Sequence, residues 1–200
     1  MVREQYERLV KQPIAQNEEG FDVKNIARIL VVDDHAMIRQ GLVALIEPQK
    51  DMVVVEEADS GKSACQKARR LLPDVVVMDI SMEEGTGIQA TEQIKRECPQ
   101  VKVVIFTIHE DRGYLQELFQ VGASGYILKS SPAEEVLTAI RSTLKGGTYV
   151  DPRLRDSLLD LLRRPAQEAA PRVAALSERE QMVLKQVARG YVSKEIAAQL

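Results

Sequence analysis

Ile29-Leu30-Val31-Val32-Asp33-Asp34 and Val75-Val76-Val77-Met78-Asp79 decide the fold, because each is a short apolar run that ends in acid. Runs rich in β-branched residues, without polar alternation, read as strands buried on both faces. Three further runs fit: Met52–Val55, Val101–Phe106 (ending at Thr107) and Tyr126–Leu128 (ending at Lys129). Between them, apolar residues recur at helical spacing. Ile38, Leu42, Leu45 and Ile46 mark a first helix, and Ala64, Ala68, Leu71 and Leu72 a second, stopped by Pro73. Ile88, Thr91 and Ile94 mark a third, from Gly87 to just before Pro99, and Leu115, Leu118 and Phe119 a fourth that stops near Gly122. Pro132 opens a fifth at a favoured early position, with Val136, Leu137, Ile140 and Leu144 on its buried face and Gly146-Gly147 closing it. Five strands alternating with five helices imply right-handed βαβ units. The expected fold is α/β, a five-stranded parallel sheet with helices on both faces.

In such a sheet, sites form at the carboxyl ends of the strands, near the switch in strand order. Polar residues fall there: Asp33-Asp34, Asp79, Thr107 and Lys129 each follow a separate apolar strand. Singly they are bland, since an Asp at a strand end is usually a turn former or helix N-cap and a lone Lys a solvated charge. Their joint occurrence in one orientation argues for a site. Carboxylates held together raise the cost of ionising one another. A divalent cation resolves this, and oxygen-only ligands suit Mg2+. Lys129 offers a compact cation for a phosphoryl oxygen, and Thr107 a hydroxyl donor. The set meets the needs of phosphoryl transfer to a carboxylate: a nucleophile, a metal and a positioning cation.

The chain of 200 residues suits one or two domains. No run approaches the roughly 20 apolar residues that span a bilayer. The start, Met-Val-Arg-Glu-Gln-Tyr-Glu-Arg, is too polar for a secretory signal. A cytoplasmic protein that does not enter a membrane is expected. Cys65 and Cys98 have no CxxC partner and no metal-ligand cluster around them, and read as core or surface thiols. Residues 1–25 form a polar extension that admits a short helix over Gln5–Lys11, ending at Pro13. The net charge of −3 is uneven: from Pro152 to Leu200, nine Lys/Arg face six Asp/Glu. An acidic front and a mildly basic tail fit a nucleic-acid module at the C-terminal end.

Val-Val-Asp33-Asp34-His, Val-Met-Asp79-Ile-Ser-Met, Phe-Thr107-Ile-His-Glu-Asp and Gly-Tyr126-Ile-Leu-Lys129 resemble, in order and spacing, the receiver-domain signatures of two-component response regulators. The resemblance covers residues 26–148 and implies a flavodoxin-like, doubly wound (βα)5 receiver. It implies that Asp79 is the phosphoacceptor. It also implies that Asp33 and Asp34 bind Mg2+, with Asp79 and the backbone carbonyl of Ser81 completing the protein ligands. Thr107 and Lys129 would contact the phosphoryl group. Tyr126 would be the switch aromatic, turning inward as Thr107 is pulled toward the phosphate; packing on an edge strand is its other open role. Ser81 and His109 fall where the family tunes the lifetime of the acyl phosphate. Glu83-Glu84 depart from the family, which often has a proline in that region, so the loop Ser81–Gly87 is expected to be more mobile and more acidic.

Beyond the receiver, Asp151-Pro152 leads into a helical stretch with Leu154, Leu158, Leu161 and Leu162 on one side, and residues 164–175 are rich in Ala and Pro. Residues 149–175 are read as a helical linker. Ser177 can cap a helix, with Glu180 completing a capping box and Val183, Leu184, Val187 and Ala188 as the apolar face. Gly190 ends it, and Ser193 can cap a second helix with Ile196, Ala197 and Leu200 facing inward. The run from Leu176-Ser-Glu-Arg-Glu to Ser193-Lys-Glu-Ile-Ala resembles the LuxR-type helix-turn-helix of NarL/FixJ-type regulators. In that family a recognition helix follows and reads bases in the major groove. Residues 176–200 are therefore expected to be an incomplete helix-turn-helix, with Lys194 and Arg189 touching DNA phosphates at most.

The resulting expectation is a phosphorylation-dependent transcription regulator, not an enzyme. It would receive phosphate from a sensor histidine kinase, form a homodimer through a surface that includes the fourth and fifth helices, and bind DNA in an intact form. A receiver-only or dimerisation role is the alternative, because the DNA-binding part is incomplete. An Asp-nucleophile phosphohydrolase typically shows Asp-x-Asp at the first strand, where the two acids here are adjacent. A nucleotide-binding domain needs a glycine-rich loop where Asp33-Asp34-His-Ala-Met stands.

Overall fold

The computed structural model describes residues 26–82 and 87–154. All belong to the first of two units into which the chain divides, Met1–Leu158. The extension over residues 1–25, Glu83 and Glu84, most of the linker, and the helix-turn-helix with Arg189 and Lys194 lie outside the described residues.

Strands and helices alternate as expected: β1 (Ala27–Val32), α1 (Ala36–Ile46), β2 (Met52–Ala58), α2 (Gly61–Leu71), β3 (Val75–Met78), α3 (Gly87–Glu97), β4 (Lys102–Thr107), α4 (Arg112–Gln120), β5 (Gly125–Leu128) and α5 (Ala133–Leu144). A short β6 (Tyr149–Val150) and a 3-10 turn (Pro152–Leu154) follow. The strand order is β2-β1-β3-β4-β5-β6, with every neighbouring pair parallel. The order reverses at β1, so the carboxyl ends of β1 and β3 flank the switch point.

All four residues of β3 are buried, as both faces are covered. Ile29, Val31, Val77, Val104, Phe106 and Ile127 pack with Leu42 and Ile46 of α1 and Val136, Leu137 and Ile140 of α5. Their strand neighbours Leu30, Val76, Met78, Ile105 and Tyr126 alternate with them and are as deeply buried. Alternation sends these to the other face, where α2, α3 and α4 lie in sequence.

Several expectations are corrected. The sheet has six strands, not five: Tyr149 and Val150, assigned to the helical linker, pair with Gly125 and Tyr126 of β5. Tyr126 therefore does not sit on an edge strand. β2 runs three residues beyond Val55, through Glu56 and Glu57. As an edge strand it can direct acids outward, and Glu56 meets Arg70 at 3.0 Å. Leu144 is exposed, and Thr143 occupies the buried position, its hydroxyl donating to the Ile140 carbonyl at 3.0 Å. Leu72 is likewise exposed, in a left-handed C-cap conformation (φ 45°) after α2. Cys65 and Cys98 are both buried and free, and burial pushes the Cys65 thiol up. Among the described residues no helix is long and apolar enough to cross a membrane.

At the amino end of the sheet, Arg141 of α5 grips Asp51 through two hydrogen bonds, Nε to Oδ2 at 2.7 Å and Nη2 to Oδ1 at 2.9 Å. The guanidinium holds the Asp51 carboxyl below its ordinary value of 3.8. A depressed folded pKa gives stability that is present above the unfolded pKa and lost as pH falls through the folded one. Both side chains are substantially exposed, which limits the effect to under about 1 kcal/mol. Asp51→Asn should therefore lower the urea midpoint at about pH 7, and the gap to wild type should close well below pH 3.8. A gap unchanged at low pH would show that the pair contributes packing rather than charge.

Candidate functional site

The backbone ladder sets the acids in place. Asp33 follows β1 and donates its N–H to Ala58 of β2 at 3.1 Å, and Asp79 follows β3 and donates to Val32 at 2.9 Å. Both side chains are buried, at 0 and 1% exposure. Lys129 follows β5 and donates its N–H to the Thr107 carbonyl at 2.7 Å, which sets the ends of β4 and β5 side by side. From there its Nζ reaches Asp33 Oδ2 at 2.6 Å and Asp79 Oδ2 at 2.8 Å. Burial alone would push the Lys129 ammonium down, but hydrogen bonds to Asp33 and Asp79 outweigh this and hold it above the ordinary lysine range.

The remaining oxygens of the buried acids are partly satisfied. Asp33 Oδ1 accepts from the His35 N–H at 2.8 Å, and Asp79 Oδ1 from the Ser81 N–H at 3.1 Å. Asp34 is half-buried, and its Oδ1 is shielded from solvent without a hydrogen bond. The ring of His35 approaches that oxygen to 2.6 Å as an ion-pair contact if protonated. Asp33, Asp34, His35 and Asp79 each place a ligand atom so that all lie within 4.8 Å of one another. Three carboxylates, one with an unbonded shielded oxygen, form a hard-oxygen donor set that fits Mg2+. His35 is exposed and adds a nitrogen, which Mg2+ favours less.

Thr107 is fully buried, and its Oγ1 accepts from the His109 N–H at 3.2 Å. Tyr126 is fully buried too, pointing inward with its hydroxyl donating to the His109 carbonyl at 2.8 Å. Burial pushes its phenol well up, so it remains a protonated donor. His109 also hydrogen-bonds Ser81 through Nε2 at 3.0 Å and stacks, tilted, on Tyr114 at 4.7 Å. Its backbone and ring thus connect Thr107, Tyr126 and Ser81.

Two supports escaped the sequence reading. Arg39 reaches back from α1 and donates to the carbonyls of Asp33 at 2.7 Å and Asp34 at 3.2 Å, fixing the loop that carries both acids. Its signal was its position as the lone charged residue in Ala36–Ile46. Gly87 starts α3 against the phosphoacceptor candidate's backbone: a Cβ there would stand 2.1 Å from the Asp79 carbonyl oxygen. Only glycine permits that approach.

The structure thus brings Asp33, Asp34, Asp79 and Lys129 into one cluster, with Thr107 beside Lys129 on the adjoining strand end. Residues 29–141 match the response regulator receiver domain family. The chain is 39% identical over 178 residues to the oxygen regulatory protein NreC of Staphylococcus carnosus (strain TM300), covering 86% of this chain and 82% of that protein. Its fold is similar to a two-component response regulator of the LuxR family from Aurantimonas sp. SI85-9A1, with a TM-score of 0.67 and 34% identity over 70% of this chain and 99% of the other. It is also similar to a DNA-binding response regulator of the LuxR family from Staphylococcus aureus, with a TM-score of 0.55 and 26% identity over 59% and 98%.

Removing the cation from this cluster leaves two buried carboxylates opposed. Lys129→Met should cost about 2–3 kcal/mol, at or below the low end for a broken buried pair because the Lys129 and Asp34 side chains keep partial exposure. Adding Asp33→Asn to Lys129→Met should recover part of the loss, read as urea midpoints. If the double variant is as unstable as the single one, carboxylate repulsion is not the cause.

Proposed function

Because this chain belongs to the response regulator receiver family, we propose that Asp79 accepts a phosphoryl group from a sensor histidine kinase and that this controls transcription through DNA bound by its C-terminal part. The observation that carries the reading is the cluster of Asp33, Asp34 and Asp79, two of which, Asp33 and Asp79, are held by the ammonium of Lys129. An Asp79 carboxylate oxygen forms the new P–O bond as the P–N bond to the kinase imidazole breaks. Asp33, Asp34, Asp79 and the backbone carbonyl of Ser81 would hold Mg2+. When bound, the ion offsets the negative charge gathered on the carboxylates and phosphoryl oxygens.

Lys129 already donates to Asp79 and can pass that hydrogen bond to a phosphoryl oxygen while keeping Asp33. The Thr107 hydroxyl is a second donor. Drawing Thr107 toward the phosphoryl group pulls on the His109 N–H it accepts, and so on the loop that Tyr126 grips. In this reading Tyr126 is the switch aromatic, already inward. The added charge shifts a two-state equilibrium toward a surface that includes α4 and α5 and pairs two copies, as DNA half-sites require. Residues 26–148 are then the receiver and 176–200 the part directed to DNA, in a cytoplasmic protein.

Incubation with acetyl phosphate and Mg2+, read by intact mass, should add one phosphoryl group to wild type and none to Asp79→Ala. Chelating Mg2+ should stop the reaction. Lys129→Met and Thr107→Ala should each slow it about tenfold or more. Steady turnover of small phosphate esters would instead favour an Asp-nucleophile phosphohydrolase.

A further inference from the structure

Lys129 sits on a flexible stem, and holding its Nζ on two carboxylates requires a fixed backbone beneath it. That backbone is gripped from an unexpected place. Asp151, just past β6, is fully buried. Its Oδ2 accepts from the Leu128 N–H at 3.2 Å and from the Ser131 hydroxyl, and its Oδ1 from the Arg153 N–H at 3.0 Å. Arg153 in turn donates to Ser130, Nη1 to Oγ at 2.9 Å and Nη2 to the carbonyl at 3.1 Å. The residue before Lys129 and the two after it are therefore all held by residues 151–153.

A buried carboxylate is costly unless its oxygens are hydrogen-bonded. Here two of the three donors that satisfy it come from the lysine loop. The local geometry explains the arrangement. Backbone pairing of β5 with β6 ends at Tyr126–Val150, the Asp151 N–H still reaches Tyr126 at 2.8 Å, and Pro152 has no N–H to extend the ladder. The Asp151 side chain takes over where the ladder stops and binds the end of β5.

We propose that Asp151, assisted by Arg153, is a positioning residue for Lys129, and that the chain leaving the receiver is tied through it to the phosphorylation site. The proposal rests on the receiver reading above. Coupling of this kind is reciprocal: a shift of Lys129 onto a phosphoryl oxygen alters the loop that Asp151 holds, and so reaches the residues that follow Leu154.

The test uses the full 200-residue chain. The rate of Asp79 phosphorylation is followed by intact mass against acetyl phosphate at saturating Mg2+, and against Mg2+ at fixed acetyl phosphate. Asp151→Ala should raise the half-saturating acetyl phosphate concentration by about tenfold. Ser131→Ala and Arg153→Met, which each remove one arm, should raise it less, and they decide the matter if Asp151→Ala fails to fold. The Mg2+ dependence should stay at the wild-type value throughout, and Asp51→Asn, at the far end of the sheet, should match wild type in both. In wild type, the phosphate mimic beryllofluoride should change hydrogen exchange at the Leu128 and Arg153 amides. Unchanged acetyl phosphate dependence in the variants overturns the proposal. So does a parallel weakening of both dependences in step with lost urea stability, the mark of a merely structural role. A wild type that takes no phosphate on Asp79 overturns the receiver reading itself, and this proposal with it.

Discussion

Two buried carboxylates share one ammonium: Lys129 Nζ stands 2.6 Å from Asp33 and 2.8 Å from Asp79. Carboxylates buried side by side call for a cation between them, because like charges repel. The ammonium offsets only one of the two charges, and Asp34 adds a third close by. The site is thus built with excess negative charge at the switch point of the sheet. The proposed divalent ion would offset that excess. The rest of the structure keeps these groups together against their repulsion.

The restraint comes mainly from backbone. Parallel ladders fix Asp33, Asp79, Thr107 and Lys129 by their own peptide groups or those of adjoining strand residues. Arg39 then locks the peptide carbonyls of Asp33 and Asp34, and Gly87 lets α3 close over the Asp79 carbonyl. These restraints act on the backbone and leave the carboxylate oxygens able to change partners, as the proposed phosphoryl transfer would need.

The strand ends were legible because a strand buried on both faces shows as an unbroken apolar run, and the residue where the run stops is the residue at the sheet edge. Asp33, Asp79, Thr107 and Lys129 were found that way, and the α/β alternation with them. Edge structure was less legible. Glu56 and Glu57 look like a loop until β2 is known to be an edge, and Tyr149–Val150 is too short to show a period and follows two glycines. Thr143 takes the buried position expected of Leu144 because helical phase decides burial, and a threonine can turn inward by bonding its own helix. Asp151 acts on a backbone group distant in sequence, and the His109 ring on the distant Ser81 hydroxyl, and no local pattern reports such contacts.

His109 shows how these levels join. Its N–H serves Thr107, its carbonyl serves Tyr126, and its ring meets Ser81 and Tyr114. One loop residue after β4 therefore touches the Thr107 hydroxyl, the buried aromatic of β5 and the segment following Asp79. Tyr126 is held inward while Lys129 still engages Asp79, so its inward position does not depend on Lys129 having left that acid. In the proposed receiver, the partners of Lys129 and Thr107 also change between states. These are also the two residues whose strand ends are joined by the Lys129–Thr107 backbone bond. The backbones of the two residues are thus tied together, so a shift of one strand end bears on the other.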